Sequence, residues 1–424
     1  MNVNILKYLF YRVKENEVVN EKKFYIYRSR LLLSIFLLIL IEPAYFLTIE
    51  SIHRIYWVGK FLVFIVVCMM IMLTQKKPRG LVWISTFYGV ILFSTIINSG
   101  SIQNCIGSIC SSLTMCLIFV LWLDKNPDTL LNAFAVLEIY IYINLVTILA
   151  YPNGMYNSGL FDQSWFLGFK NPQIRTILPI VCMALIRAYR CRGKITLSAA
   201  LLVVASAMTM VLNGSSTGLV GIAVFVFLLI MFHRKYKKLP RIFNLLTMTM
   251  ITGGLFLGIM AFQIQDIFSF LIVGVLGKDL NFTHRTGIWN TAIQLIGEKL
   301  LFGYGYLGDS DYASLFNFTV ATHPHNYLLY ISMTGGVLLI VVWLAGIVKA
   351  SRTLNENISS IYCKVILFTL CSFLVMGLTE SLVSTELLYP MFVLGMKADK
   401  ISNLPYQDKG VIILGKRIIW GRKG

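Results

Sequence analysis

The sequence predicts an all-α polytopic membrane protein of about twelve transmembrane helices, with a large extracytoplasmic loop that carries an amphipathic helix. Hydrophobic residues occupy 57% of the 424 positions and charged residues only 13%, and the mean hydropathy is +0.75. A soluble domain of this size would expose too few charges to stay in solution, so the composition indicates a chain that lies in a bilayer. The spacing of the apolar runs and the placement of the basic residues indicate the same class.

Apolar runs of membrane-spanning length recur along the chain. A helix needs about 20 mostly apolar residues to cross the hydrocarbon core. The segments that approach this length are 31–49, 55–74, 81–98, 105–123, 130–150, 174–190, 195–213, 216–233, 242–262, 325–348, 362–378 and 381–397. The first run follows a charged arm and has no small-residue cleavage site, so we expect a retained helix rather than a removed signal peptide.

These runs divide the chain into five parts. We expect a cytoplasmic N-terminal arm at 1–30, transmembrane helices 1–9 at 31–262, a large extracytoplasmic loop at 263–324, transmembrane helices 10–12 at 325–397 and a basic cytoplasmic tail at 398–424.

Lysine and arginine are distributed unevenly between alternate connections. Thirty of the 37 fall on one side of the predicted bundle, and the seven on the other side are Arg54, Lys60, Lys170, Arg175, Lys278, Arg285 and Lys299. This bias follows the positive-inside rule, which predicts a multi-pass protein of the cytoplasmic (inner or plasma) membrane with both termini in the cytoplasm. Topology and attraction to anionic lipid explain the net charge of +18, so we expect no nucleic-acid binding.

The large loop contains a helical pattern followed by a glycine-rich turn. Apolar residues recur at three- and four-residue spacing at Ile288, Ala292, Ile293, Ile296 and Leu300, whereas Asn290, Gln294, Gly297 and Glu298 fall on the other face. This pattern predicts an amphipathic helix along the outer interface. The sequence FGYGYLG at 302–308 should end it, because clustered glycines break a helix and let the backbone approach a ligand closely.

Two arginines stand on the predicted outer side, against the general trend. Arg175 opens the sixth span and Arg285 opens the amphipathic helix. A guanidinium fork matches phosphate oxygens and keeps its charge in a poorly hydrated place, so both are candidates for binding a phosphate. Simple snorkelling to the interface is the alternative for each of them, and it is the stronger reading for Lys170.

Histidines cluster where the large loop enters the tenth span. The imidazole of His325 can take a proton from a sugar hydroxyl near neutral pH, because its unperturbed pKa is about 6.5. Asn326 follows it, and His323 precedes it across a proline. A polar cap at the interface is the alternative for His325, and His284 beside Arg285 is similarly ambiguous.

Carboxylates inside apolar segments are functional candidates by default, because a buried charge is costly in a membrane. Glu42, Glu138 and Glu380 are of this kind, and each could instead be held by a basic or hydroxyl partner in the bundle. The eight cysteines form no CxxC or metal-spaced set, so they indicate neither a metal site nor a disulfide.

Taken together, these residues resemble the O-antigen ligase and Wzy-type polysaccharide polymerase superfamily. The pattern is R-x3-W, an apolar helix, a P/L-F-G-x-G turn and H-N-x-x-L at the start of a span. In this chain Arg285 and Trp289 match R-x3-W, LFGYG at 301–305 matches the glycine turn, and HNYLL at 325–329 matches H-N-x-x-L. The segment GFKNPQIR at 168–175 looks like the family's glycine–aromatic–x–Asn segment with its following arginine.

A further segment matches the family only in part. NGSSTGLVGIAV at 213–224 is similar to the family's S-R-[ST]-G-x-x-G span start, but Ser216 stands where the arginine is usual. This departure puts a phosphate role for this helix start in doubt. Read from its composition alone, the segment is a small-residue helix start suited to tight packing.

The resemblance implies a metal-independent C-type glycosyltransferase with no cofactor and a polyprenyl-diphosphate-linked glycan as donor. The family's loop arginines correspond to Arg175 and Arg285 and its loop histidine to His325, so these are the expected catalytic residues. The arginines would stabilise the leaving diphosphate and the histidine would act as base, although His323 stays open as the base. The expected substrate-binding residues are Lys170, Asn171, His323, Asn326, Trp289 and Glu380.

Several functions are compatible with this pattern. We favour a polymerase that joins repeat units of a capsule, exopolysaccharide or O-antigen, because no large acceptor-binding domain is evident. Its expected partners are lipid-linked donor and acceptor glycans, membrane lipid, a chain-length regulator and a flippase. A ligase that transfers finished glycan to lipid A-core or protein is the alternative within the superfamily. A polyprenyl-glycan flippase or other transporter and a membrane scaffold are the alternatives from other classes.

Overall fold

A computed structural model describes most of the chain. The described residues are 19–75, 77–78, 80–157, 163–232, 239–240, 242–262, 285–317, 322–382, 386–404, 412–413 and 416–417. Most of the predicted N-terminal arm, the first part of the predicted large loop with Lys278 and His284, and most of the C-terminal tail lie outside these residues. The division into five parts stays a prediction.

Helices make up nearly all of the described structure. The α-helices are α1 (Val19–Leu40), α2 (Glu50–Met72), α3 (Leu81–Ile97), α4 (Ile102–Lys125), α5 (Pro127–Ala133), α6 (Glu138–Ala150), α7 (Gln173–Arg192), α8 (Leu197–Leu212), α9 (Ser216–Phe232), α10 (Leu245–Phe262), α11 (Arg285–Glu298), α12 (Asp309–Phe316), α13 (Tyr327–Glu356), α14 (Ile361–Met376), α15 (Leu388–Met396) and α16 (Ala398–Ser402). Short 3-10 helices cover Ala44–Thr48 and Phe134–Leu137.

Strands occur only as two short antiparallel hairpins among the described residues. They pair β1 (Ser164–Trp165) with β2 (Gly168–Phe169), and β3 (Ile412–Ile413) with β4 (Lys416–Arg417). The first hairpin lies just before α7 in the chain. Its turn also contacts the segment that follows α1, because Tyr45 N donates a hydrogen bond to Phe166 O at 3.1 Å.

The helices support the predicted class, an all-α membrane protein, but they do not establish twelve crossings. Four segments are long and apolar enough to cross a membrane by length and composition: α2, α4, Pro127–Ala150 and α13. Six further apolar helices among the described residues are shorter. In lipid a helix satisfies its own backbone hydrogen bonds, which is why apolar runs adopt it.

Two predicted spans were wrong in extent. The first, at 31–49, is interrupted because α1 ends at Leu40 and a 3-10 helix begins after Pro43, whose ring cannot continue the helical hydrogen bonds. In the last, at 381–397, the nine residues of α15 are the helical ones among those that the structure describes. At about 1.5 Å per residue, α15 is too short to cross a bilayer by itself.

The most buried helices are α7, α14 and α15. Nearly every residue of α14 is buried, and α14 packs against α7, α9, α10 and α15. Glycines allow this close packing, as predicted for the small-residue start of α9. A Cβ added at Gly221 would lie 2.3 Å from Met376 Sδ on α14. Peripheral helices such as α2, α3 and α8 instead leave large apolar side chains exposed, as expected of lipid-facing surfaces.

The helix predicted in the large loop is present as α11, which ends at Glu298, before Leu300. Trp289 and Ala292 are fully buried and pack with α10, α12 and α13, whereas Ile293 and Leu300 are 45% and 53% exposed. The contact of the apolar face with the outer interface stays a prediction, because apolar side chains that face lipid are exposed in the protein itself.

The glycine turn docks into a break in α13. Gly336 has a φ of 60° inside that helix, and Val337 N donates to Leu300 O at 2.9 Å. A Cβ at Gly303 would lie 2.4 Å from Met333 O, and one at Gly305 would lie 2.5 Å from Thr95 Cα. These glycines therefore let the turn approach α13 and α3 closely, while the close approach to a ligand stays a prediction.

Candidate functional site

Three segments that are distant in sequence meet around the carboxylate of Glu380. Arg175 lies in the first turn of α7, Arg285 is the first residue of α11, and Glu380 lies between α14 and α15. Asn171 completes the group from the segment before α7. We call these four residues the arginine–glutamate cluster.

Glu380 is the centre of this cluster. Its side chain is 4% exposed. Oε1 accepts a hydrogen bond from Asn171 Nδ2 at 2.9 Å and from Arg285 Nη2 at 3.4 Å, and Oε2 lies 4.0 Å from Arg175 Nη2. A buried carboxylate needs such partners to offset its lost hydration. Two guanidinium groups face the Glu380 carboxylate, and the carboxyl group of Glu386 also interacts with Arg175. The four residues of the cluster alone carry one positive charge in excess, which suits an anion.

The two arginines are held in different ways. Arg285 donates from Nη1 to Thr379 O, and its side chain is 19% exposed, so part of the guanidinium stays accessible. Arg175 is more deeply buried. Because Arg285 opens the amphipathic helix and Arg175 opens α7, the cluster joins the two long connections of the predicted outer side.

Asn171 links the cluster to the start of α9. Ser215 Oγ donates to Asn171 Oδ1 at 3.1 Å. Nearby, Gln173 Oε1 accepts from Asn144 Nδ2 at 2.8 Å and from Asn213 Nδ2 at 2.9 Å. Sequence reasoning missed Ser215 and Gln173 as supporting residues. The only signal was their position inside the two segments that resemble the family, GFKNPQIR and NGSSTG.

His323 and His325 lie beside each other at the entrance to α13. Their ring centroids are 4.1 Å apart, and His325 N donates to His323 Nδ1 at 3.3 Å. The backbone φ of His325 is 50°, which is unusual for a residue with a side chain and indicates local strain. Among the described residues, His325 Nδ1 is buried and has no hydrogen-bond partner.

The environment of both imidazoles favours their neutral form. Burial, followed by the charges of Arg285 and Arg175, lowers the pKa of His325 to about 3. Burial, followed by His325 and the two arginines, lowers the pKa of His323 well below its usual value. A neutral imidazole can accept a proton, but a low pKa makes it a weak base, so general-base catalysis would need a bound negative charge that raises this pKa.

The two histidines and Glu380 could also hold a cation by their donor types. Their ligand atoms all lie within 4.8 Å of one another, and two imidazoles with a carboxylate are common zinc ligands. The surrounding charge opposes this use, because both arginines lie against the same carboxylate and would repel a dication. The cluster therefore suits an anion better than a metal ion.

Asn326 occupies a structural position next to the histidines. Its Oδ1 accepts from Leu329 N at 3.0 Å and caps α13, while its Nδ2 donates to Leu378 O at 3.0 Å. Asn326 thereby ties the start of α13 to the segment that carries Glu380. Its predicted substrate contact stays a prediction.

Trp289 and Lys170 flank the cluster in different environments. Trp289 is fully buried, and its ring packs edge-on against Phe256 at 5.6 Å between centroids. Direct contact between Trp289 and a substrate would need this packing to open. Lys170 Nζ lies 5.7 Å from the centre of the Phe169 ring and next to Asn171 in sequence. Its predicted role in binding substrate also stays a prediction.

The two other carboxylates considered from the sequence have basic partners. Glu42 Oε2 accepts from Lys60 Nζ at 2.7 Å, and its Oε1 lies 3.0 Å from His53 Nδ1. Glu138 pairs with Arg187 at 2.5 Å. These pairs match the alternative in which the bundle itself holds the carboxylates.

Comparison with known families supports the reading of the loop. Residues 201–344 match the family model described as O-Antigen ligase (Wzy_C). No curated protein matches the chain. The matched segment includes Arg285, Trp289, the glycine turn and His325, while Arg175 and Glu380 lie outside it. Over this segment the match confirms the predicted resemblance to the O-antigen ligase and Wzy-type polymerase superfamily.

Proposed function

We propose that this chain is a polysaccharide repeat-unit polymerase that joins polyprenyl-diphosphate-linked oligosaccharides at the outer face of the cytoplasmic membrane. Its products would be a capsule, exopolysaccharide or O-antigen. The observation that carries the proposal is the convergence of Arg175 and Arg285 on one buried carboxylate beside two adjacent histidines. The family match supports the coarser statement that the chain is a glycosyltransferase-like membrane enzyme acting on lipid-linked glycans.

The proposed reaction is a single displacement at an anomeric carbon. An acceptor hydroxyl oxygen forms the new glycosidic bond while the bond from the anomeric carbon to the diphosphate oxygen breaks. The bonding electrons leave with the diphosphate, and the hydroxyl proton passes to His325, or to His323 if that residue is the base. Proton transfer to a positioned base contributes about 10²–10⁴-fold to the rate.

The arginines would stabilise the charge that develops on the leaving diphosphate. Their forked guanidinium groups match phosphate oxygens. The excess positive charge of the cluster offers this stabilisation without a metal ion, and we therefore propose a metal-independent reaction. On substrate binding, the diphosphate would share the arginine contacts that Glu380 makes in the free protein.

The location of the reaction follows from the charge bias of the sequence. With Arg175 and Arg285 on the side poor in lysine and arginine, we propose an extracytoplasmic site and cytoplasmic termini. Lys170 and Asn171 would contact the glycan or the diphosphate beside the arginines. A flippase would deliver the lipid-linked units, and a chain-length regulator would be a partner of the polymerase.

A ligase is the second candidate function, and the description of the family model favours it. In a ligase the same residues would transfer a finished glycan to lipid A-core or to a protein. We prefer the polymerase because the described residues include no large extramembrane acceptor-binding domain. The flippase alternative receives no support from the family match.

The proposal is tested in cells whose surface polysaccharide is analysed by gel electrophoresis. Arg285→Ala and His325→Ala should leave single repeat units on lipid and abolish long chains, whereas Arg54→Ala should not. Arg54 is a suitable control because it lies on the same predicted side and is exposed. Long chains in both mutants would contradict the catalytic assignment.

Purified protein separates the two candidate functions. A polymerase should elongate a lipid-linked repeat unit supplied as both donor and acceptor, whereas a ligase should need lipid A-core or a protein as acceptor. Activity that survives exhaustive chelation of divalent cations would support the metal-independent reaction, and activity restored only by an added cation would contradict it.

A further inference from the structure

A cavity lined by charged residues lies at the opposite end of α7 from the arginine–glutamate cluster. It has a volume of about 430 Å³ and opens partly to the surroundings. Its walls are formed by the start of α6, the last turns of α7 and the first turn of α8. Arg175 and Arg187 on α7 are separated by twelve residues, or about 18 Å along the helix axis. The cavity is therefore distinct from the candidate active site.

The polar lining of this cavity is dominated by donors. Arg187 and Arg192 contribute guanidinium groups, Thr196 and Ser198 contribute hydroxyls, and Glu138 is the acidic residue of the lining. Glu138 is engaged by Arg187 at 2.5 Å. Two arginines against one carboxylate leave a positive excess, so the cavity attracts an anion.

Some N–H donors of the two arginines have no acceptor within the described part of the chain, even with the ion pair between Arg187 and Glu138 formed. Among the described residues, Arg187 Nη1 is buried and has no hydrogen-bond partner, and Arg192 is exposed and forms no ion pair. A buried guanidinium nitrogen without a partner carries a desolvation cost that a bound acceptor would relieve. Asp128 and Asp124 form ion pairs with other residues, Arg190 and Lys397, and not with the arginines of the cavity.

The surface next to the cavity indicates what kind of anion would bind. Leu197 lines the cavity and is 77% exposed, and α8 continues with exposed apolar residues at one helical face. These residues are Leu201, Val204 and Met208, followed at the end of the helix by Val211 and Leu212, which are both exposed. Such a face on an apolar helix suits contact with acyl chains. A charged cavity directly beside it suits a headgroup.

We propose that this cavity binds the phosphate of an anionic membrane lipid, with the acyl chains along the exposed face of α8. Arg192 and the unpaired nitrogen of Arg187 would donate to the phosphate oxygens, and the hydroxyls of Thr196 and Ser198 would contact the headgroup. The 430 Å³ volume lies in the range of small-molecule sites. On the predicted topology this end faces the cytoplasm, where anionic lipid headgroups are recognised by basic pockets between helices.

The experiment uses the full chain in phosphatidylcholine nanodiscs with and without phosphatidylglycerol, and native mass spectrometry of the released protein measures retained phosphatidylglycerol. Arg192→Gln removes one donor. Ser198→Glu places a negative charge in the cavity, yet it should not harm α8, because acidic residues in the first turn favour a helix. Arg352→Gln is the control, since Arg352 is an exposed arginine near the same end of the bundle but outside the cavity.

We expect Arg192→Gln and Ser198→Glu to weaken phosphatidylglycerol retention about tenfold, the loss expected for one charge-assisted hydrogen bond. Arg352→Gln should retain the lipid as the unmodified protein does, and an excess of inorganic phosphate should not displace it. Equal retention by all variants would overturn the proposal, as would an equal loss in Arg352→Gln. Displacement by inorganic phosphate would overturn the assignment to a lipid and identify free phosphate as the ligand.

Discussion

Asn171 donates a 2.9 Å hydrogen bond to Glu380 although the two residues are 209 positions apart in the chain. The bond joins the segment before α7 to the connection between α14 and α15. Since both arginines lie against the same carboxylate, Glu380 holds together three segments that no local interaction would place side by side. Its replacement should therefore affect folding as well as activity.

Glu380→Ala should destabilise the protein strongly. Removing one member of a buried ion pair leaves its partners uncompensated, and such changes cost about 3–5 kcal/mol. Glu380→Gln, which still accepts from Asn171, should cost less than Glu380→Ala. Thermal unfolding in detergent measures both. The control is Glu50→Gln, since Glu50 is highly exposed and should change stability by no more than about 0.5 kcal/mol. Similar unfolding temperatures for Glu380→Ala and Glu50→Gln would contradict the central role of Glu380.

Arg285→Lys should retain little of the activity, even though the charge is preserved. A lysine offers a single point charge and cannot form the forked contact that a guanidinium makes with phosphate oxygens. Loss of one group that stabilises developing negative charge lowers kcat by about 10²–10³-fold. Polymerisation assayed with purified protein should show this loss for Arg285→Ala and a smaller loss for Arg285→Lys. Full activity in Arg285→Lys would show that charge alone suffices.

The pH dependence of kcat/KM should lack an acid limb near pH 6.5. In the free protein the pKa of His325 is lowered to about 3, so the imidazole stays neutral and able to accept a proton as the pH falls below 6.5. Bound diphosphate adds negative charge and raises the pKa of His325 in the complex. The acid limb of kcat should therefore lie at a higher pH than that of kcat/KM. An acid limb of kcat/KM near pH 6.5 that disappears in His325→Gln would contradict the lowered pKa.

The same histidine should make folding sensitive to acid. The unfolded chain protonates His325 near pH 6.5, whereas the folded protein does not protonate it until about pH 3. Between these values the unfolded state binds more protons, so stability is complete above pH 6.5 and falls as the pH decreases. His323, whose pKa is also lowered, contributes with the same sign. Thermal unfolding compared at about pH 7.5 and about pH 5.5, one unit either side of the unfolded pKa, should show a smaller loss of stability on acidification for His325→Gln than for the unmodified protein.

Gly303→Ala should weaken the docking of the glycine turn. A Cβ at this position would lie 2.4 Å from Met333 O, and the backbone φ is 64°. Strain in a left-handed conformation together with overpacking should cost at least about 2 kcal/mol. Gly297→Ala is the matched control, because a Cβ there meets nothing within 4 Å and lies inside α11. That change should leave stability equal or slightly higher. Limited proteolysis of the 285–317 segment would distinguish the two variants.

The residues of the candidate site could be predicted from the sequence to a large extent, while their arrangement could not. Arg175 and Arg285 stood out because arginine is rare on the predicted outer side, and His325 because it opens an apolar run. The contact of both arginines with Glu380 depends on packing between α7, α11 and the end of α14. Nothing in the local sequence reports such a long-range contact.

The boundaries of elements were less predictable for physical reasons that differ from case to case. Hydropathy places 381–397 in the membrane, yet among the described residues of this segment helix α15 covers just Leu388–Met396, because hydropathy measures burial and not backbone conformation. The periodicity of α11 does not tell which of its apolar residues pack inside the protein, as Trp289 does, and which stay exposed, as Ile293 does. Ser215 and Gln173 were missed because small polar residues acquire a role only through partners in other helices.

The break in α13 has a mechanical consequence. Residues 300–305 fill the gap at Gly336 through backbone hydrogen bonds, and the same helix begins at the histidine pair. The segment that follows Arg285 and the helix that follows His325 are thus held together by these backbone hydrogen bonds. The separation between the proposed diphosphate-binding arginine and the proposed base is set by this joint. A substrate would have to fit that fixed span, and changes at the joint should alter catalysis without touching any residue that meets the substrate.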